Sequence, residues 1–220
     1  MRQPSLFVPR RFSARASARA LPAGAALILS CAAAQAFTVN INQGAQEIYL
    51  QVGVGAFNGF FSTGGTPAQN PTINTVSVTV PFSAIGSGAP QTMAANAGAT
   101  ISYYDGFAFC NAGELYLGAY YRRPNNANVD AVLTASPSGP LTNASGDTIP
   151  ISQISWTTGG NRSGGPTYIF PGSFTGSLQT IANVNRNRWT EVCLTFLYAN
   201  AVTPAPGTYT ARVTYTLTAP

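Results

Sequence analysis

Carboxylates and cysteines are the side chains of this chain that could do chemistry, because it contains no histidine and no lysine. Without histidine, a serine or cysteine triad of the usual kind and an imidazole metal site are excluded. Without lysine, a P-loop, a Schiff base and a Ser–Lys dyad are excluded. Six acids remain for a glycosidase-like pair, which needs two carboxyl groups about 5 to 10 Å apart in a cleft.

The positions of those acids favour structural roles. The three aspartates fall in predicted turns, and the three glutamates fall at strand starts or on solvent-facing sides of strands. They are Asp105, Asp130, Asp147, Glu47, Glu114 and Glu191. We therefore predict no catalytic residue, no metal site and no cofactor.

The first 36 residues have the pattern of a secretory signal peptide. A lead with five arginines precedes an apolar run over residues 21–33, and Ala34-Gln35-Ala36 offers small residues for cleavage after Ala36. The run is shorter than the ~20 residues that span a bilayer, and no later segment is long and apolar enough. We expect residues 1–36 to be removed and residues 37–220 to form one domain. The mature chain, without a transmembrane segment, is then exported to the periplasm and on to the cell surface or the medium.

Two other interpretations of this segment are weaker. Cys31 could mark a lipoprotein cleavage site, but Leu29 two residues before it is atypical. Arg10-Arg11-Phe12 is similar to a twin-arginine signal, but the residues after the pair do not keep that pattern. The general secretory route is favoured.

Removal of the signal peptide changes the charge and cysteine arguments. The mature chain keeps six arginines against six acids, so the sequence pI of about 9.4 reflects the signal peptide and no nucleic-acid partner is predicted.

Cys110 and Cys193 remain, and an oxidising compartment favours a disulfide between them. In the strand around Cys193, Glu191 shares the face of Cys193 while Val192 and Leu194 occupy the other. The disulfide is therefore expected on a sheet's outer face or at a strand end, tying a loop to a strand.

Short alternating segments without helical periodicity indicate an all-β fold. Gly- and Pro-rich stretches separate them, and no repeat or linker divides the mature chain. The predicted strands cover residues 37–42, 46–54, 73–80, 99–104, 114–121, 129–134, 149–156, 190–198 and 208–218. We predict an immunoglobulin-like antiparallel β-sandwich, with a barrel as the second choice.

Both ends of the mature chain carry apolar residues in strict alternation. These are Phe37, Val39 and Ile41 at the start, and Tyr209, Val213, Tyr215 and Leu217 at the end. The last strand has one charge, Arg212, and no internal proline, so it must be paired within the fold or by another protein. The first strand is short and is followed by Gly44, so it could be donated to a neighbour.

Three features of the chain are similar to those of a known family. They are the turn Pro206-Gly207-Thr208-Tyr209 before the terminal strand, the segments from Leu141-Thr142-Asn143 to Ile149-Pro150 and Ile154-Ser155-Trp156, and the signal peptide with its alternating mature start. In these features the chain resembles exported fimbrial subunits of the chaperone–usher type, including the archaic pilin and spore-coat-U-like group. The resemblance implies an incomplete sandwich that is completed by the N-terminal strand of the next subunit. It also implies like subunits, a periplasmic chaperone and an outer-membrane usher as partners. Two features depart from the family: this chain has no cysteine near the mature N-terminus, and residues 37–42 are shorter than the usual donated segment.

The sequence therefore favours a non-enzymatic structural or adhesive subunit of a surface fimbria-like assembly, polymerising by strand donation. The alternative is a self-contained exported binding module, for example for carbohydrate, since tyrosine beside arginine can stack on sugars. Its candidate contacts are Tyr120, Tyr121, Arg122 and Trp156. The favoured interpretation is that Tyr120 or Tyr121 caps the core while the arginines keep a strand end soluble, and that Trp156 is a core residue. A carboxylate hydrolase is a third, weaker hypothesis.

Overall fold

Antiparallel β-structure makes up the fold of the described part of the chain. The computed structural model describes residues 47–68, 72–123, 129–160 and 169–220. Its strands are β1 (Glu47–Val52), β2 (Phe57–Asn58), β3 (Thr66–Pro67), β4 (Val76–Ser77), β5 (Gln91–Ala95), β6 (Thr100–Ile101), β7 (Ala108–Cys110), β8 (Leu115–Arg122), β9 (Ala131–Pro137), β10 (Leu141–Thr142), β11 (Thr148–Ile149), β12 (Ile154–Gly159), β13 (Gly172–Ser173), β14 (Gln179–Val184), β15 (Arg188–Tyr198) and β16 (Val213–Thr218). Its 3-10 helices are Phe61–Thr63, Phe82–Ala84 and Ile151–Gln153. None of these helices is long and apolar enough to cross a membrane.

Two antiparallel sheets form the body of the fold. Sheet 1 has the strand order β1-β8-β15-β12-β13, and the long strand β15 also pairs with β5, which in turn pairs with β4. Sheet 2 has the order β14-β9-β16. The short hairpins β2–β3, β6–β7 and β10–β11 complete the pairing.

The inner faces of the two sheets enclose one hydrophobic core. Ala131, Leu133 and Ala135 of β9 are fully buried, because β9 lies between two strands of its own sheet and faces sheet 1. From sheet 1, Val192 and Leu194 of β15 enter the same core. This is the predicted sandwich, and the alternation of apolar residues in β9 and β15 is the sequence pattern that builds it.

A third layer covers the outer face of sheet 1. Residues 55–68, which contain β2–β3, and residues 100–110, which contain β6–β7, lie over β1, β8 and β15; we call these two segments the cap. Because of the cap, the central strand β8 is buried on both of its faces from Leu115 to Tyr121. Sheet 2 has no such cover among the described residues, and the outward residues of β16 are exposed.

Most of the long predicted strands are confirmed, with shifted ends. The strand predicted over 149–156 is interrupted by the 3-10 turn Ile151–Gln153, the strand predicted over 73–80 contains only β4, and β5 and β14 were not predicted. By its contacts the chain divides into Met1–Ile41 and Asn42–Pro220. Residues 37–42 and the predicted cleavage site after Ala36 lie outside the described residues, so those predictions stay predictions.

Candidate functional site

The outer edge of β16 is the candidate functional site. Within the described residues β16 pairs only with β9, through a continuous register from Val213 opposite Pro137 to Thr218 opposite Val132. The strand contains no charge, proline or bulge. Such an edge lacks the devices that normally protect a sheet from pairing with another chain.

The apolar side of β16 is incompletely buried. Val213, Tyr215 and Leu217 face the core but remain half-buried, whereas Ala135 and Leu133, which lie opposite Tyr215 and Leu217 on β9, are fully buried. Across the gap, Leu50 and Val52 of β1 are also half-buried and pack against the same core. β1 and β16 are edge strands of the two sheets and contact each other. Within the described residues, the sandwich therefore shows a partly open apolar seam on this side, and no further strand pairs with the outer backbone edges of β1 and β16.

The predicted C-terminal edge strand is shorter at its start than expected. The strand predicted over 208–218 begins at Val213, and Tyr209 lies before it. Thr210 instead exchanges two backbone hydrogen bonds with Thr142 of β10, at 2.9 and 3.1 Å. The Tyr209 hydroxyl donates to the Ala205 carbonyl at 2.8 Å, so this residue fastens the approach to β16. The predicted donor residues Phe37, Val39 and Ile41 lie outside the described residues.

The four candidate ligand contacts do not lie on one exposed surface. Tyr120 faces the cap and Tyr121 faces the core, and both are buried. Trp156 is buried in the core, where its indole N–H donates to the Phe170 carbonyl at 2.9 Å. Arg122 forms an ion pair with Glu47 at 2.7 Å at the sheet edge. A ligand could reach the three aromatic side chains only if the fold opened.

The disulfide between Cys110 and Cys193 is confirmed. It joins the end of the β6–β7 hairpin to the outer face of β15, and both cysteines are buried. Glu114 lies close to both sulfurs, and among the described residues these three form the one group with candidate metal-ligating atoms. Because the sulfurs are bonded to each other, they are not free thiolates and the group is not a metal centre in this state.

Glu191 corrects the expectation that every glutamate lies at a strand start or on a solvent-facing side. Its residue is only 3% exposed, because the cap covers the face of β15 that alternation alone marks as wet. Its carboxylate accepts hydrogen bonds from Ser102 Oγ at 2.6 Å and from the Tyr116 hydroxyl at 2.8 Å. Burial raises the pKa of Glu191, the hydrogen bonds from Ser102 and Tyr116 oppose that rise, and nearby Asp105 adds to it. The sequence did carry a signal for the burial of Glu191: this residue lies two positions before Cys193, so both share the strand face on which the disulfide was expected.

The other acids have structural partners. The Asp105 carboxylate accepts from the Phe107 amide, the Glu114 carboxylate from the Asn111 amide, and the Asp130 carboxylate from the Asn185 side chain. Asp147 accepts from the Asn143 side chain in the β10–β11 turn. These contacts are those of turns and caps, as expected for the three aspartates.

Comparison with known proteins adds no relative. No family model, no curated protein and no solved structure matches this chain.

Proposed function

We propose that the chain is an exported structural or adhesive subunit of a surface fimbria-like assembly that polymerises by strand donation. Residues 37–42 of one copy pair with the free edge of β16 in the next copy. The observation that carries the proposal is the half-buried apolar row of β16 at an edge that no described strand covers.

The donated strand fits that edge in chemistry as well as in backbone. In an extended strand, Phe37, Val39 and Ile41 would share one face, and this face would supply the apolar atoms that the seam between β16 and β1 lacks. Burying each such side chain contributes about 1.5 to 3 kcal/mol, and the backbone groups gain partners in place of water. The polar residues between them continue the threonine-rich outer face of β16.

The partners of the proposal follow from the same edge. Before assembly, an uncovered apolar strand would aggregate, so a periplasmic chaperone pairs with β16 until an outer-membrane usher brings the next copy. The disulfide supports an oxidising compartment, since such bonds persist outside the cytosol. The proposal assigns no catalytic step. No observation favours a carbohydrate site, because the aromatic side chains suggested for that site are buried.

The test is assembly of the purified mature protein. A triple variant with Phe37→Asn, Val39→Asn and Ile41→Asn should stay monomeric, because the donated face loses its apolar atoms. The matched control carries Thr38→Ser, Asn40→Ser and Asn42→Ser on the opposite face and should assemble as the unmodified protein does. Light scattering after size-exclusion chromatography and electron microscopy of fibres measure the outcome.

Two results would contradict the proposal. One is an unmodified mature protein that remains monomeric under all conditions. The other is a deletion of residues 37–45 that changes neither assembly nor stability.

A further inference from the structure

The cap is held to sheet 1 by an aromatic cluster. Tyr49, Tyr120 and Trp189 lie in register across β1, β8 and β15, and the cap places Phe57, Phe61, Tyr103 and Tyr104 against them. The rings of Tyr49 and Trp189 stack with centroids 5.3 Å apart, and the Phe61 ring lies 5.0 Å from Trp189. Trp189 is therefore a marker of whether the cap is closed.

The two segments of the cap are joined to each other by hydrogen bonds. The amides of Phe61 and Ser62 donate to the carbonyls of Tyr103 and Tyr104, both at 2.9 Å. The Tyr103 hydroxyl donates to the Gly55 carbonyl at 3.0 Å. A change that frees the turn at residues 102–105 is therefore transmitted to residues 55–62.

Ser102 links that turn to a buried carboxyl group. Its hydroxyl donates to Glu191 and accepts from the Tyr104 amide at 3.1 Å, so the carboxyl group and the cap backbone share one oxygen. Tyr116 of β8 holds the other carboxylate oxygen. The cap is fixed to β15 at two neighbouring points, by Ser102 at Glu191 and by the disulfide at Cys193.

Among the residues that the structure describes, the groups that face Glu191 supply no positive charge. They are Tyr116 from β8, Tyr49 from β1, Tyr103 and Asp105 from the cap, and Trp189 from its own strand. The ion pair that the described residues form joins Arg122 to Glu47. Because hydroxyl groups both donate and accept, Ser102 and Tyr116 can form hydrogen bonds with the Glu191 carboxyl group in either of its protonation states. The two states differ in free energy because only the ionised form buries an uncompensated charge.

We propose that Glu191 is a pH-dependent latch for the cap. In its neutral form the carboxyl group keeps the cap closed over the aromatic cluster. When it loses its proton, the buried charge loosens the turn at Ser102, and residues 55–68 and 100–109 open while the disulfide keeps Cys110 attached. The folded-state pKa of Glu191 lies above that of an unfolded glutamate, so the closed cap weakens as pH rises through the interval between the two values. This device does not depend on strand donation.

The test follows Trp189 fluorescence. Trp156 and Trp189 are the two tryptophans of the chain, so Trp156→Phe leaves one reporter under the cap. Acrylamide quenching is measured from about pH 4, close to the usual glutamate pKa of about 4.3, up to about pH 9. We expect quenching to rise several-fold with pH and emission to shift to the red.

Three variants in this background separate the latch from general effects of pH. Glu191→Gln, neutral at every pH, should stay closed and give a flat profile. Glu114→Gln removes an acid that binds Asn111 near the same disulfide, and should keep the rising profile. Ser102→Ala should be quenched strongly even at acidic pH, and hydrogen exchange should show the loss of protection in residues 55–62 and 102–107.

Each outcome decides the matter. A flat profile in the Trp156→Phe protein overturns the latch, and so does a rising profile that Glu191→Gln leaves unchanged. If Glu191→Gln does not fold, the Ser102→Ala result decides. Quenching in that variant that stays low at acidic pH and follows the unmodified profile overturns the proposal.

Discussion

At the residue scale, the informative positions are polar groups that the fold has buried. Glu191 alternates with apolar residues along β15, and a sequence pattern assigns it to water because the pattern describes one strand and not what packs over it. The cap comes from residues 55–68 and 100–110, far away in sequence, so its cover could not be predicted locally. The cysteine pair could be predicted, because removal of the predicted signal peptide, which contains Cys31, would leave two cysteines, and two cysteines allow one disulfide.

Asn200 is a second buried polar residue with a structural task. It is 1% exposed and has a positive φ of 54°. Its side chain donates to the Ala84 carbonyl at 2.6 Å and accepts from the Gly86 amide at 3.1 Å, and it clamps the loop that contains the 3-10 turn Phe82–Ala84.

We predict that Asn200→Ala costs about 2 to 4 kcal/mol of unfolding free energy, because it leaves buried partners unpaired and because alanine tolerates the left-handed region less well than asparagine does. Urea denaturation measures the cost. Asn200→Gly removes the same hydrogen bonds without the conformational penalty, so it should cost about 1 kcal/mol less. If neither variant shifts the urea midpoint, Asn200 does not clamp the loop.

At the element scale, long uninterrupted strands were predictable and interrupted ones were not. β8, β9 and β15 follow their predicted segments closely. β14 was missed because its pairing with β9 shifts between Thr180 and Ala182, which breaks the two-residue period. The alternation before β16 is real in sequence, but Thr210 bonds to Thr142 of β10 and the strand pairing with β9 starts only at Val213.

The open edge of β16 predicts unequal effects of equal truncations. Leu133 of β9 and Leu217 of β16 are paired in register, and Leu133 is fully buried while Leu217 is half-buried. We predict that Leu133→Ala costs about 3 to 5 kcal/mol and that Leu217→Ala costs about 1 to 2 kcal/mol in the free subunit. Urea denaturation of the two variants makes the comparison. Equal costs would mean that β16 is covered as completely as β9, which would remove the basis for strand donation.

The same pair also reports on the assembled state. In a polymer formed by strand donation, Leu217 gains the neighbours that it lacks in the free subunit. The cost of Leu217→Ala should then approach that of Leu133→Ala when dissociation of assembled protein is measured. This increase distinguishes donation into the seam from association through another surface.

At the scale of the whole molecule, three layers are stabilised in two different ways. The sandwich of sheets 1 and 2 is stabilised by one apolar core, whereas the cap is fixed to sheet 1 by aromatic contacts, by Ser102 and by the disulfide. The sandwich could be predicted from strand patterns. The cap could not, because its strands have two or three residues and its function as a cover depends on long-range packing.

The disulfide should act on this molecule as a whole and on the cap in particular. It closes a loop of 83 residues that contains β8, β9 and β12, so it restricts the unfolded chain and contributes roughly 4 to 5 kcal/mol in the chain-entropy model. We predict that a variant with Cys110→Ala and Cys193→Ala loses about that much unfolding free energy, measured by urea denaturation.

Hydrogen exchange of the same double variant separates the two effects. An unfolded-state effect lowers protection by the same factor in every amide that exchanges through global unfolding, including those of β9 in sheet 2. Residues 100–110 should lose more, because they also lose their attachment to β15. If protection falls in the cap while β9 is unchanged, the disulfide is a local fastening and the chain-entropy account is wrong. If all regions fall equally, the aromatic contacts and the hydrogen bond from Ser102 to Glu191 are enough to hold the cap, which leaves the protonation of that carboxyl group as a control of the third layer.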